Sequence, residues 1–576
     1  MKTIAIVGAR LNSSRLPGKH LLHLAGKPMI ERLWCRLTRC KEIDDIILAT
    51  TADDYNRPLV NWSQDQNVNC FTFEGDVNDL MGRLDAVINT FQPQYIVYIC
   101  GDCPLVDPDF IDHAIKELKR HPIKDSIVLT EGIMSIHEGM AFYSFTGWKK
   151  LLVASQSDMS REHVGYADKL IPVLEKLNIT DSDDFSAIKH RISVDTHADY
   201  LFMEKIYQRW FQENTSDSIV NLKWVQSQLL ADPELRALNN HVQQKRPDTH
   251  YKKAHILCHA GKDIGMGHLK RSAFIANLLQ EHLSLGVTLH IVGDKRTDLP
   301  WLQSTAIWYK NEQSALSQML ENSTALWIVD IHPHYIDKVL LNSALTKAKS
   351  ANTKLLAIDK TDADINFLVD AIFVPAFFCQ SASDKTTYGW SHYLFTPQKI
   401  VPKEKRVLIT TGGSDALQYG SWLPAIIETQ VPTTYKITWV QGPYADNPKL
   451  PNQERWAHVI NPENLPELMS KSEIVICCYG ISLFEAIASG SLTLLLPTDS
   501  LCEPQELDAL EKAECCLISR SRETITQGIQ ALFTSESQMF RERCLNNADQ
   551  HSLEIEGGNK LCQLVSRLIE DAHVKL

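Results

Sequence analysis

The stretch from Thr3 to Lys19, TIAIVGARLNSSRLPGK, constrains this chain more than any other. Ile4, Ala5, Ile6 and Val7 make the apolar, β-branched run of a buried strand, which breaks at Gly8 into a polar loop with Arg10, Arg15 and Lys19 around Pro17-Gly18. Small residues at Gly8, Ser13, Ser14 and Gly18 let backbone N–H groups approach an anion, while Arg15 and Lys19 bring positive charge to a polyphosphate. An ordinary strand-to-helix loop with solvated basic residues fits the same composition. The loop is not a Walker A sequence, because Ser13 stands where its first glycine is needed and His20 replaces Ser/Thr; it holds no GxGxxG either.

Helical spacing over 29–40 and apolar runs at 45–50, 69–73 and 95–100, with a helix at 79–91, predict a right-handed, mainly parallel α/β sheet. Ligands of such sheets sit outside the carboxyl ends of the strands. Gly101-Asp102-Cys103-Pro104-Leu105 falls at such an end, and a strand expected over 191–194 runs into Asp195-Thr196-His197-Ala198-Asp199. A lone Gly-Asp reads as a turn aspartate bonding its own backbone. Two strand-end carboxylates beside a basic loop instead suit Mg²⁺, which takes one or two carboxylates together with phosphate oxygens.

The opening loop resembles the signature of the spore-coat polysaccharide cytidylyltransferases, related to CMP-sialate and CMP-octulosonate synthetases, in which Q-A-R-x-x-S-x-R-L-P-G-K follows a strand. Here Gly8 stands in place of the glutamine. The family's G-D-C-P-L, R-E-H-V (Arg161 to Val164) and R-x-(S/T)-V-D-T-x-x-D follow in order, so the resemblance covers about residues 1–225. It implies attack by the anomeric hydroxyl of a sugar acid on the α-phosphate of CTP, with pyrophosphate leaving. It implies Mg²⁺ on Asp102 and Asp195 and the triphosphate on Arg15 and Lys19. Gly8, Arg10, Ser14 and Gly18 are then expected along the nucleotide, and Arg161, Glu162 and His163 beside the acceptor sugar.

Residues 226–253 read as a helical linker that turns polar (NNHVQQKRPDTHYKK) before chemistry restarts at a strand over 254–258. Gly261-Lys-Asp-Ile-Gly265-Met-Gly267-His268 leads into an apolar helix, a setting that keeps a histidine neutral and able to accept a proton. A histidine that merely caps or packs beneath the loop fits equally. Strands at 326–330, 355–359 and 371–374 complete one Rossmann-like half, 254–400. A second half, 401–576, opens with a strand and Gly412-Gly413-Ser414-Asp415 and continues to Tyr479-Gly480-Ile481-Ser482-Leu483-Phe484-Glu485. Paired halves of this kind describe the two-domain nucleotide-sugar glycosyltransferases. More narrowly, G-x-G-H-x-x-R, G-G-S-D and G-x-S-x-x-E resemble the UDP-sugar hydrolase of pseudaminic acid biosynthesis. That resemblance implies His268 as the base for water attacking the anomeric carbon, with Gly265, Gly267 and Arg271 at the sugar. Gly412, Gly413, Gly480, Ser482 and Glu485 are expected to hold UDP. The chain departs from that family at His259-Ala260-Gly261, where Arg and Asp are usual, and at Glu503-Pro504-Gln505-Glu506, where Asn-Gln is usual.

A chain of 576 residues, 44% of them hydrophobic, exceeds one ordinary core. Its formal charge of −12 argues against a nucleic-acid or membrane-surface binder. No apolar segment precedes the first strand and no run reaches the ~20 apolar residues of a membrane span, so a cytoplasmic protein is expected. Its 14 cysteines are scattered as reduced small hydrophobes, Cys100-Gly-Asp-Cys103 ends a strand instead of opening a redox helix, and His332-Pro-His334 is too sparse for a metal site. Related cytidylyltransferases often pair, which makes a homodimer the expectation. The whole reads as a bifunctional enzyme of nonulosonic acid or related surface polysaccharide synthesis. The alternatives keep the cytidylyltransferase and make the second part a non-catalytic nucleotide-sugar-binding module or a glycosyltransferase.

Overall fold

The computed structural model describes residues 1–13, 15–129, 136–181, 183, 185, 190–242, 252–262, 264–296, 299, 302, 305–322, 324–331, 336–359, 363–380, 382–462, 464–497, 502, 504–533, 542–544, 546–547 and 555–570. The chain divides into two units, residues 1–251 with 280–284, and residues 252–279 with 285–576.

The first unit is built on one seven-stranded sheet: β1 (Thr3–Gly8), β2 (Asp45–Thr51), β3 (Cys70–Phe73), β4 (Tyr95–Cys100), β5 (Ser126–Leu129), β6 (Met140–Ser144) and β7 (Lys176–Ile179). Their order is β3-β2-β1-β4-β6-β5-β7, and β6 alone runs antiparallel to its neighbours. The opening apolar run is continuous because β1 is covered on both faces. Ile4 and Ile6 pack with Met81, Leu84, Val87 and Ile88 of the helix Leu80–Phe91, whereas Ala5 and Val7 pack with Ile30, Leu33, Phe110 and Ile111 on the other side. The chain leaves β1 to one side and returns at β4 on the other, so the reversal point of this sheet lies beyond Gly8 and Cys100.

Two expectations need correction here. No strand forms over 191–194; that segment is held by single bonds, Val194 N–H to the Asp102 carbonyl at 2.8 Å and Ile192 and Ser193 N–H to Glu138 Oε1 at 3.1 and 2.7 Å. Nor are residues 226–242 a linker. Leu222, Val225, Leu229 and Leu235 pack with Leu16, Leu24, Phe202 and Ile206 in a third core layer. Asn239 is buried, donating to Asp199 Oδ1 at 2.9 Å while its Oδ1 meets His190 Nε2 at 2.7 Å. Residues 243–251 of the expected linker lie outside the described residues.

The second unit holds two doubly wound halves, as the glycine-broken apolar runs predict. β8 (Lys253–Ala260), β9 (Gly286–Gly293), β10 (Ala306–Tyr309), β11 (Leu326–Asp330), β12 (Lys354–Ile358), β13 (Ala371–Phe373) and β14 (Thr386–Thr387) form one parallel sheet in the order β10-β9-β8-β11-β12-β13-β14. β15 (Glu404–Thr410), β16 (Lys436–Gln441), β17 (Trp456–Ile460), β18 (Ser472–Cys477), β19 (Leu492–Leu495) and β20 (Leu517–Ile518) form another, ordered β17-β16-β15-β18-β19-β20. The assignment of everything after residue 400 to the second half is corrected by the helix Gly557–Glu570, which returns to the first. Lys252 Nζ donates to the Ile569 carbonyl at 2.7 Å, and a Cβ on Gly558 would stand 3.1 Å from Leu278. No described helix is long and apolar enough to cross a membrane.

Replacing Asn239 with Ala strips partners from buried His190 and Asp199, and is expected to lower the stability of the first unit by about 2 kcal/mol. Urea unfolding followed by tryptophan fluorescence reads the shift; an unchanged midpoint would mean that the 222–242 segment is peripheral.

Candidate active sites

In the first unit, the strand ends open into a cavity of about 510 Å³. Gly8, Arg10, Arg15, Lys19, Asp102, Glu162, His163 and Asp195 all border it, although up to 187 positions separate them in sequence. At its centre Lys19 Nζ donates to Asp102 Oδ2 at 2.7 Å and to Asp195 Oδ1 at 2.8 Å, and Arg15 meets Asp195 Oδ2 at 2.9 Å. Arg191 bonds the same carboxylate. Burial alone would raise the Asp195 carboxyl, but Lys19, Arg15 and Arg191 outweigh it and hold the group well below the usual range. Burial likewise opposes the Lys19 charge, yet Asp102 and Asp195 hold the ammonium above its ordinary value. Arg15 and Lys19 of the loop therefore face carboxylates.

The remaining expected residues divide. Arg10 spans the mouth of the cavity, donating to the Val77 carbonyl at 3.0 Å and Asn78 Oδ1 at 2.7 Å and pairing with Glu162 at 3.1 Å. Burial lowers the His163 imidazole. Arg161 does not border the cavity; it bonds Asp79, the N-cap of the helix Leu80–Phe91. Gly18 also stands off the cavity and, at φ +71°, makes the turn that delivers Lys19. Ser14 lies outside the described residues, as do His332 and His334. All 14 cysteines are free thiols, and burial pushes Cys100 up to about 12.

Among the cavity residues that the sequence does not point to, Arg83, Tyr98 and Glu138 stand out. Arg83 is 3% exposed, its Nε and Nη1 have no hydrogen-bond partner among the described residues, and burial pushes the guanidinium down to about 10. Its helical spacing marks a core position, and nothing local signals that a guanidinium fills it. Tyr98, inside an apolar strand, explains Gly8: a Cβ there would stand 2.9 Å from Tyr98 Cε2, so the ring takes the room that a side chain at position 8 would use. Glu138, which braces the 192–193 backbone, is raised by burial.

The second unit places Gly261 to His268 after β8 and Asp330 at the end of the adjacent β11, the reversal point of its first sheet. His268 Nδ1 lies 2.7 Å from Asp330 Oδ1. Arg271 clasps the same carboxylate through Nε at 3.0 Å and Nη2 at 2.6 Å and reaches Asp359 Oδ2 at 2.7 Å; Ser272 Oγ adds a bond of 3.1 Å. Burial alone would raise Asp330, but Arg271 and His268 overcome it and hold the carboxyl far below its usual range. An ionised Asp330 fixes the proton on Nδ1 and leaves Nε2 as the basic nitrogen. Asp330 was read only as the end of a strand, so its part in a His–Asp pair went unseen.

The two glycine loops of this unit meet. A Cβ on Gly413 would stand 2.9 Å from the Met266 backbone nitrogen, a close approach only glycine permits, and Gly265 faces Ser414. Gly267 opens the helix Gly267–His282, and Gly412 takes φ +89°. Gly480 caps the helix Ile481–Ala488, which carries Ser482 and Glu485; burial raises the Glu485 carboxyl against the pull of Lys270 from the facing half. Asp415 is structural, accepting from Tyr419 and Gly420 N–H at 3.0 and 2.8 Å. Glu503 lies outside the described residues.

Residues 4–245 match the family model described as cytidylyltransferase. Over 138 residues the chain is 30% identical to the 3-deoxy-manno-octulosonate cytidylyltransferase of Geobacter sulfurreducens, a match covering 24% of this chain and 54% of that protein. The chain thus spans about half the length of that relative. It is 24% identical over 209 residues to the spore coat polysaccharide biosynthesis protein SpsF of Bacillus subtilis, covering 35% of this chain and 85% of SpsF. Among solved structures, the calicheamicin glycosyltransferase CalG4 matches with a TM-score of 0.40 at 11% identity, over 56% of this chain and 99% of that one. The match to the cytidylyltransferase model lies within the first unit.

Asp330→Asn would leave the buried Arg271 with one carboxylate partner fewer and destabilise the second unit by about 3 kcal/mol. Because the folded Asp330 carboxyl is depressed below its ordinary 3.8, its stabilisation is present above that value and fades as pH falls below about 4. The gap between the denaturation midpoints of wild type and variant should therefore narrow from pH 7 towards pH 3; a constant gap would refute the pairing.

Proposed function

We propose that the first unit transfers CMP from CTP to a 2-keto sugar acid and releases pyrophosphate. The observation that carries this reading is the meeting of the basic loop with Asp102 and Asp195 in one strand-end cavity, within a stretch that matches cytidylyltransferases. Phosphoryl transfer asks mainly for positioning and charge neutralisation. Arg15 and Lys19 neutralise the triphosphate. Arg83, a guanidinium on the cavity wall, is the group we assign to the base, because cytosine offers adjacent O2 and N3 acceptors whereas uracil N3 carries a proton. Glu162 and His163 line the side left for the sugar acid. Asp102 and Asp195 offer the hard oxygen donors that suit Mg²⁺ and would hold it with phosphate oxygens, and the ion would supply charge neutralisation.

The second unit we read as a hydrolase of a UDP-linked amino sugar, of the kind that supplies nonulosonic acid synthesis. The His268–Asp330 pair favours catalysis over a binding module, because a module has no need of a histidine held in one tautomer by a buried carboxylate. His268 Nε2 takes the proton of the attacking water, and Gly412, Gly413, Gly480, Ser482 and Glu485 surround UDP. The same pair could deprotonate an acceptor hydroxyl, which makes a glycosyltransferase the second reading. The organisation suits a cytoplasmic protein, and pairing of the first units into a homodimer belongs to the same reading.

Pyrophosphate release with CTP and Mg²⁺ across pseudaminic, legionaminic, sialic and octulosonic acids should single out one acid. Asp102→Asn should lower kcat/KM for it by about 100-fold or more. No turnover across the panel would remove the sugar-acid assignment. For the second unit, UDP release from UDP-amino sugars should fall about 10²- to 10⁴-fold in His268→Ala. Free sugar as the other product marks a hydrolase and a glycoside marks a transferase.

A further inference from the structure

We infer that Lys19 is an internal placeholder for the divalent cation of the first unit, and that metal and lysine exchange at the Asp102–Asp195 pair when nucleotide arrives. The inference rests on reading this unit as a CTP-dependent nucleotidyltransferase. Lys19 Nζ lies 2.7 Å from Asp102 and 2.8 Å from Asp195, so one ammonium occupies the point that the two carboxylates share. Its side chain is 7% exposed, and the free space it borders is the cavity. An ammonium and a dication on the same two carboxylates repel strongly at low dielectric. The two states are therefore exclusive.

The partners of the two carboxylates set the direction of the exchange. Asp195 keeps Arg15 and Arg191 when Lys19 leaves, so its charge remains compensated. Asp102 has no other cationic partner among the described residues and would be left as the uncompensated charge. A triphosphate in the cavity offers the ammonium replacement oxygens and the cation further ligands. Nucleotide thus opens the cation site, and the pair stays neutralised by protein alone until then.

The test is Mn²⁺ binding to the full-length protein without nucleotide, read from the loss of the free-ion electron paramagnetic resonance signal. Wild type should bind weakly, while Lys19→Met and Lys19→Gln should each bind at least tenfold more tightly. Adding Asp102→Asn to Lys19→Met should abolish the gain. Equal affinity in wild type and either folded variant, checked by circular dichroism, overturns the inference. Should both variants fail to fold, the wild-type titration decides: Mn²⁺ bound at low micromolar concentration without nucleotide overturns it, and weak binding that tightens at least tenfold in ternary complex with CTP supports it. Calorimetry with CTP separates the two levels. A wild type that ignores CTP while Lys19→Met gains Mn²⁺ would sink the nucleotidyltransferase reading and leave the exchange standing.

Discussion

The first unit depends on how the Asp195 carboxylate is neutralised. Three cations, Lys19, Arg15 and Arg191, converge on it from a loop at the start of the chain and from its own segment. Each would be a costly buried charge alone, and removing one partner from such a group typically costs about 3–5 kcal/mol. The basic loop can be ordered only because the aspartates are there, and the aspartates can be enclosed only because the loop is basic. The supports follow from the same need. Glu138 and the Asp102 carbonyl tie down the backbone of 192–194, which has no sheet of its own to hold it.

What could be read in the sequence was what repeats locally. Continuous apolar runs marked parallel strands buried on both faces, glycine breaks marked the loops at their ends, and together these outlined the two doubly wound halves of the second unit. Contacts across long separations left no local trace. The 191–194 segment looks like a strand because Ile192 and Val194 alternate with polar residues, yet the backbone of Ile192 and Ser193 is held by Glu138, more than 50 positions away. Asn239 sits in a polar run with the composition of a linker, but its amide is needed by His190 and Asp199. Arg161, in a motif that suggested the cavity, is drawn off by Asp79. Arg83 and Asp330 occupy positions that periodicity assigns to a helix core and a strand end, and periodicity does not report that a fold brings a cavity or a histidine up to them.

Both units place carboxylates near a sheet reversal, and exposure determines what those carboxylates can do. Asp102 and Asp195 keep 24% and 26% of their side-chain surface on the cavity, so a ligand can compete for oxygens that Lys19 now holds. Such a pair is exchangeable, as a site for polyphosphate and its counter-cation must be. Asp330 has no exposed surface, and Arg271, Ser272 and His268 together use both of its oxygens. A carboxylate closed in this way cannot bind substrate. Its influence passes through His268, whose Nδ1 it holds, and the chemistry is displaced by one ring to Nε2. The same element of the fold therefore yields an ion site where the aspartate reaches the cavity and a tautomer-fixed base where it is sealed beneath the histidine.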